Sequence, residues 1–236
     1  MKKYITFIGD VHGCFRSLKA LLKKIPPEDN RIVLLGDIIN KGKRSFEAYQ
    51  YVRQKGLETL LGNHDFYCIH RNKKDYKDSW LKLGGIETIQ SIKNSQQLTS
   101  ESHVQIMLAE MAYYFEQVPL FVKAETNWGV TLLATHGGIS SKVYRQCNSN
   151  VSACLKIDVA QPASFLFNKG DLAEISGTIQ VIGHQPTEFN HIRSGSNYRL
   201  DTGCVYNRKG MGWLTALQFN LQQAEQPRFY HQVNID

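Results

Sequence analysis

Six side chains able to hold metal ions each follow a short apolar run. They are Asp10 and His12 in Gly9-Asp10-Val11-His12-Gly13, Asp37 in Gly36-Asp37, Asn63 in Gly62-Asn63-His64-Asp65, His136 in His136-Gly137-Gly138 and His184 in Gly183-His184. Carboxylate, imidazole and amide oxygen together suit Mn, Fe or Zn better than Ca. Asp10 and His12 are two residues apart, so in an extended segment both point to one side and can grip one ion. Asp37 can bridge that ion to a second, completed by Asn63, His136 and His184. Two ions about 3.5 to 4 Å apart lower the pKa of a shared water and clamp the attacking and departing oxygens of an in-line displacement. The expected cofactor is therefore a pair of divalent metal ions, Mn first, with Fe, Zn or Mg as alternatives.

Strands must deliver these groups to one place. The preceding runs, Tyr4 to Ile8, Arg31 to Leu35, Glu58 to Leu61, Val130 to Thr135 and Thr178 to Ile182, read as strands whose carboxyl ends carry the motifs. That edge is where open α/β sheets bind ligands. Between the early runs lie helical patterns at Phe15 to Lys24, stopped by Pro26-Pro27, and at Ser45 to Gln54, with Ser45 as cap and Gly56 as terminator. Strand and helix alternate as in parallel βαβ units. Residues 79–117 read as a helical insert. Beyond it, Val130 to Thr135, Thr178 to Ile182, Tyr198 to Leu200, Trp213 to Phe219 and Arg228 to Val233 predict a second, more antiparallel sheet. The expected fold class is α/β with two facing mixed β-sheets flanked by helices, in a single domain over residues 1–236.

The chain has 236 residues, 42% of them hydrophobic, enough for a full core. Its formal net charge of +7 favours anionic partners. Neither a signal-like h-region nor an apolar run of membrane-spanning length occurs in the sequence. Five cysteines, irregularly spaced and without a CxxC pair, argue against a disulfide framework and fit a reducing cytoplasm. No aromatic-basic interleaving suggests specific nucleic-acid binding. The expected partner is an anionic phosphorylated substrate, with no membrane.

The ordered motifs resemble those of the calcineurin-like metallophosphoesterases, in the phosphoprotein-phosphatase branch with pattern GDxHG, GDxxDRG, GNH[DE], H[AG]G and GH. The likeness runs from Tyr4 to Tyr206 and is strongest to small bacterial and phage-type Ser/Thr protein phosphatases and to symmetrical diadenosine tetraphosphate hydrolases. Both also share the late Leu200-Asp201-Thr202-Gly203-Cys204 and Trp213-Leu214-Thr215-Ala216-Leu217. The resemblance implies that Asp10 and His12 hold the first metal, that Asp37 bridges, and that Asn63, His136 and His184 hold the second. It also makes His64 the general acid that protonates the leaving oxygen. A hydroxide shared by the ions then attacks phosphorus of a phosphoester or phosphoanhydride directly. The substrate would be a dinucleoside polyphosphate or a phosphoprotein; a catalytically weak module that binds phosphate or nucleotide is the alternative.

Departures from the pattern bear on substrate. Asn40-Lys41-Gly42 stands where the family shows Asp-Arg-Gly. Asn40 can hold His64 but adds no charge, which weakens an acid and matters least for a good leaving group such as a phosphoanhydride. Lys41 offers phosphate a point charge instead of a bidentate fork. Lys169, in Leu166-Phe167-Asn168-Lys169, resembles a further phosphate-binding position where relatives carry Arg. Arg16 and Arg44 are candidates to replace the missing forks. Asp65 reads as a loop or helix support for a helix beginning at Phe66, Asp201 as a structural group, and Trp80 as a possible stacking surface for a nucleobase.

Overall fold

The computed structural model describes residues 2–97 and 100–236. Period-two alternation in β1 (Tyr4–Ile8) sends Ile5 and Phe7 to one face and Ile8 to the other, and all three are fully buried. A strand with two buried faces belongs in the middle of a sheet between layers. β1 pairs in parallel with β2 (Asn30–Leu34), which pairs in parallel with β3 (Glu58–Thr59). The crossovers are α1 (Phe15–Lys24) and α2 (Ser45–Lys55). Ile25, just before the proline pair, takes an extended conformation and ends α1. The left-handed Gly56 ends α2, where its N–H returns to the last turn. Ser45 is not the N-cap of α2: its hydroxyl donates to the Gly42 carbonyl at 2.9 Å and Arg44 occupies the cap position.

The other edge of this sheet corrects the sequence-based expectation. β9 (Trp213–Asn220) and β10 (Arg228–Val233) do not join the second sheet. β9 lies antiparallel beside β1, giving the order β10-β9-β1-β2-β3. The second sheet contains β4 (Phe121–Glu125), β5 (Thr131–Thr135), β6 (Thr178–Ile182), β7 (Arg193–Ser194) and β8 (Asn197–Arg199), in the order β4-β5-β6-β8-β7. Its centre, β5-β6-β8, is parallel and only its edge pairs are antiparallel. Both sheets are thus mixed. Their inner faces meet through Ile5, Phe7, Val33 and Leu35 on one side and Leu132, Ala134, Val181 and Tyr198 on the other.

Helices cover the outer faces. The helical region starts earlier than residue 79. It comprises α3 (Asn63–Ile69), α4 (Lys74–Trp80), a π-helical turn (Leu81–Gly85), α5 (Ile86–Gln96) and α6 (Glu101–Glu116). It is part of the layer rather than an appendage, since Ile92, Val104, Leu108, Met111 and Phe115 share one core with Leu18, Leu34 and Phe46. α7 (Ser141–Gln146) and α8 (Val151–Cys154) cover the second sheet through Val143 and Cys154. Among the described residues, no helix is long and apolar enough to cross a membrane.

Candidate metal centre

All six expected ligands converge where the carboxyl ends of β1, β2, β5 and β6 meet. Two loops fix the first half. The backbone N–H groups of Val11 and His12 both donate to the Asp37 carbonyl, at 3.2 and 2.8 Å, and that of Gly13 donates to the Ile38 carbonyl at 2.9 Å. The Asp10-His12 loop is thereby fastened to the Asp37 loop of the next βα unit. His12, Asp37, Asn40, Lys41 and His184 all have left-handed backbones, with φ between 44° and 72°. Non-glycine residues rarely adopt this conformation, and strain of this kind gathers at functional sites.

The imidazoles are oriented by backbone carbonyls. His12 Nδ1 lies 3.0 Å from the Ile39 oxygen and His136 Nδ1 lies 2.7 Å from the Leu35 oxygen. Each Nδ1–H donates outward, so each Nε2 faces the centre with a lone pair available to a metal. His12 Nε2 is 3.5 Å from Asp37 Oδ2 and 3.9 Å from Asp10 Oδ2, while His136 Nε2 is 3.4 Å from Asp37 Oδ1. Asp37 therefore faces both halves. Asn63 Oδ1 lies 2.9 Å from His136 Nε2 and 2.7 Å from His184 Nδ1. An amide oxygen between two imidazole nitrogens is a cluster of electron pairs that a cation satisfies. Asp10, His12, Asp37, Asn63 and His136 are buried. Hard oxygen and borderline nitrogen donors in this number fit two divalent transition ions.

Electrostatics agree with that donor set. Burial raises the Asp10 carboxyl well above its usual range, and the Asp201 and Asp37 charges add to the rise. Burial also opposes the Asp37 charge, but His136, His64 and His12 around it hold its pKa well below the usual value. Although burial disfavours its charged form, Asp37 raises His136 to about 10. Buried carboxylates therefore need positive charge here, which protons on histidine provide when cations do not.

Close backbone approach makes the centre possible. A Cβ on Gly62 would collide with Asp37 N and Oδ1. Gly62 also begins α3, which makes Asn63 and His64 the helix's first residues, three earlier than Phe66. The His64 N–H donates to Asp37 Oδ1 at 2.8 Å. Asp65 accepts from the N–H groups of Gly62 at 3.1 Å and Ile38 at 3.2 Å, which matches its expected supporting place. Asp201 accepts from the Gly203 N–H at 3.0 Å and holds the late turn.

His64 meets Asn40. Asn40 Nδ2 is 3.1 Å from His64 Nδ1, and Asn40 Oδ1 accepts from the Thr88 hydroxyl at 2.8 Å. The same hydroxyl receives the Asn40 backbone N–H at 3.1 Å. Thr88, fully buried on α5, was not singled out in the sequence, where 48 residues separate it from Asn40. Its one legible sign is a hydroxyl on the buried face of α5, which it shares with Ser91 and Ile92. Lys41 places Nζ 2.8 Å from His12 Nε2 and 5.3 Å from the centre of the Tyr206 ring. Burial lowers the Lys41 pKa, but Asp37 and Tyr206 raise it overall, so it stays charged. Lys169 is exposed, and its charge is among those that depress His184, after burial and His136.

Three candidates are not where a phosphate fork or stacking surface requires them. Arg44 pairs with Glu47 at 3.5 Å and approaches Asp236 at 3.9 Å. Arg16 is exposed and lines a cavity with Lys19, Lys23 and Gln232 that includes none of the metal-motif residues. Trp80 is buried under Gly85 and has no face free for a base.

Facing mixed sheets with Asp, His and Asn side chains gathered at their strand ends define a metallophosphoesterase-type α/β sandwich. The chain belongs to the calcineurin-like phosphoesterase family, whose model matches residues 3–211. It is similar to the symmetrical bis(5'-nucleosyl)-tetraphosphatase of Hamiltonella defensa, with 38% identity over 109 residues that cover 42% of this chain and 39% of that protein. The enzyme of the same name from Haemophilus influenzae strain PittEE is 27% identical over 158 residues, covering 64% and 51%. The aligned region thus spans about two fifths to one half of these relatives. A protein serine/threonine phosphatase from Saccharomyces cerevisiae shares the fold, with a TM-score of 0.63 at 15% identity over 100% of this chain and 81% of that one.

Proposed function

We propose that the protein is a metal-dependent phosphohydrolase that cleaves the phosphoanhydride chain of symmetrical dinucleoside tetraphosphates. The observation that carries this reading is the Asn40–His64 contact. The Thr88 hydroxyl occupies Asn40 Oδ1, so the amide presents an N–H to His64 Nδ1. Nδ1 then accepts, and the neutral ring keeps its proton on Nε2. Burial lowers the His64 pKa to about 4, against the pull of Asp37. A neutral imidazole gives a departing oxygen a hydrogen bond rather than a whole proton. That suffices for a nucleoside diphosphate, whose terminal oxygen is stable as an anion, and it serves a serine alkoxide poorly.

Asp10 and His12 would hold one cation and Asn63, His136 and His184 the other, with Asp37, which faces both halves, available to each. Bound there, divalent ions, Mn first among them, would supply activation of water and neutralisation of phosphate charge. Lys41 attracts the phosphate chain on the His12 side and Lys169 on the His184 side, through charge and without fork geometry. His64 Nε2 lies 3.9 Å from Asp37 Oδ2, close enough to the centre to reach a leaving oxygen. Water is the nucleophile, so no phosphoenzyme forms. Five unpaired thiols support a reducing, cytoplasmic setting.

Initial rates with Mn on diadenosine tetraphosphate, a phosphoserine peptide and p-nitrophenyl phosphate test the reading. The tetraphosphate should be the best substrate by kcat/KM. A higher value for the phosphopeptide would transfer the assignment to protein dephosphorylation. Rates no greater than those of a His64→Ala control would leave a binding module.

A further inference from the structure

Two cavities are lined by lysines whose segments are fastened to the metal-binding motifs, one on each half. The first has a volume of about 600 Å³ and is lined by Lys41, Tyr206, Asn207, Met211, Asn234 and Ile235, among others. The second has about 350 Å³ and is lined by Tyr67, Tyr76, Phe167 and Lys169 with Ala160 and Pro162. Lys41 ties the first to His12, its Nζ 2.8 Å from Nε2. Lys169 ties the second to the other half: the carbonyl of the preceding Asn168 accepts from the side chain of Gln185, next to His184, at 3.1 Å, and the Asn168 amide donates to the carbonyl of Gly137, next to His136, at 3.2 Å. Both cavities combine a lysine with aromatic surface, a pairing that suits phosphate next to a flat ring.

The walls are built in advance. In the first cavity, the Asn234 N–H donates to the Gly212 carbonyl at 2.8 Å, which joins the segment after β10 to the loop between Gly203 and Gly212. Asp236 then pins that segment by accepting from the Arg16 N–H at 2.8 Å, the Ser17 N–H at 3.0 Å and the Ser17 hydroxyl at 2.7 Å. This carboxylate caps α1, which has no side-chain cap of its own. Two amides, Asn207 and Asn234, line the same cavity and offer both donors and acceptors to the edge of a base. In the second cavity, the Tyr67 ring lies 5.8 Å from both Tyr76 and Phe167. Tyr67 sits one turn along α3 from Asn63 and His64, so the helix that starts at the metal centre also carries the aromatic wall.

Resting on the dinucleotide reading above, we propose that these cavities are two nucleoside subsites, occupied together by the two ends of one substrate. The polyphosphate chain crosses the centre between Lys41 and Lys169. Water attacks an inner phosphorus and gives up its protons to solvent, the bridging P–O bond breaks, and the bonding electrons leave with a nucleoside diphosphate held in one cavity. The other diphosphate, which has gained the water oxygen, remains in the second. Discrete cavities with aromatic walls on both sides favour such a two-ended small molecule over a peptide lying in one continuous groove.

Two single variants test the subsites, Ile235→Trp to fill the first cavity and Tyr67→Ala to remove a stacking wall from the second. Each should lower the ratio of kcat/KM for diadenosine tetraphosphate to that for p-nitrophenyl phosphate by about tenfold, the scale of one lost base contact. Calorimetry on the wild-type, Mn-loaded protein gives a readout independent of turnover: ADP should bind at least about tenfold tighter than inorganic phosphate. Unchanged ratios in both variants, with the wild type still producing ADP from the tetraphosphate, would overturn the subsites and leave the enzymatic reading standing. A wild type that releases no ADP from the tetraphosphate would defeat that reading instead. The subsites would then fall if ADP bound no tighter than phosphate, or if a phosphoserine peptide bound more tightly than ADP.

Discussion

Asn40 Nδ2 stands 3.1 Å from His64 Nδ1 with its carbonyl oxygen already engaged by Thr88, so the histidine beside the metal ligands is held by a neutral donor. A carboxylate at this position would accept from Nδ1 and favour the imidazolium. The amide favours a neutral ring with the proton on the side facing the centre.

Asn40→Asp should therefore convert His64 toward a true proton donor. We expect kcat for a phosphoserine peptide to rise by about tenfold or more, while that for diadenosine tetraphosphate changes little. Rates over aryl phosphates of graded leaving-group pKa measure this as a shallower dependence in the variant. An equal change for good and poor leaving groups would contradict the account of Asn40.

Thr88 acts through Asn40. Thr88→Val leaves the Asn40 N–H and Oδ1 unpaired in a fully buried place, at a cost of about 1–3 kcal/mol. The melting temperature should fall, and kcat should fall with KM nearly constant. Thr88→Ser, which keeps the hydroxyl, should restore both. Loss of stability alone, with kcat intact, would make Thr88 merely structural.

Gly62 is the point where α3 begins against Asp37. A methyl group there would strike Asp37 N and Oδ1, so Gly62→Ala should displace the side chain shared by both halves of the centre. Calorimetric titration with Mn should show a loss of affinity of about ten- to hundredfold, as for other disturbed ligand supports. Wild-type affinity would show that the helix start can shift without cost.

His231 gives the fold an acid-sensitive point away from the centre. Burial, with help from Lys24, lowers its pKa from 6.5 to about 4, and its Nδ1 lies 3.1 Å from the Thr215 hydroxyl. The unfolded chain therefore binds the extra proton first as the pH falls. The stability His231 contributes is present above about pH 6.5 and is lost as the pH falls through about 4. Melting temperatures across this window should fall less steeply for His231→Gln than for the wild type. Parallel curves would remove His231 from the explanation.

The strand ends were legible because glycine after an apolar run marks both a strand's end and a close approach. β1, α1, β6 and β10 have the bounds their patterns imply. Pairing was not legible: β9 meets β1 across more than 200 residues, and nothing local in Trp213–Asn220 distinguishes that neighbour from β8. β4 was missed because Phe121–Glu125 alternates over only five residues and places Lys123 and Glu125 outward. The six ligand types pointed to one centre, whereas their orienting carbonyls at Leu35 and Ile39, like Thr88, are contacts that only the folded chain creates. The π-helical turn at Leu81–Gly85 had no sequence signal beyond Gly84-Gly85. It brings Gly84, at φ 106°, against the backbone of Lys41, where a Cβ would collide.

The most direct measurement is the product distribution from diadenosine tetraphosphate incubated with the Mn-loaded protein in ¹⁸O-labelled water. The account predicts ADP alone, half of the molecules carrying one solvent oxygen, and no reaction once a chelator has removed the metal. ATP together with AMP, or ADP formation that survives metal removal, would contradict it.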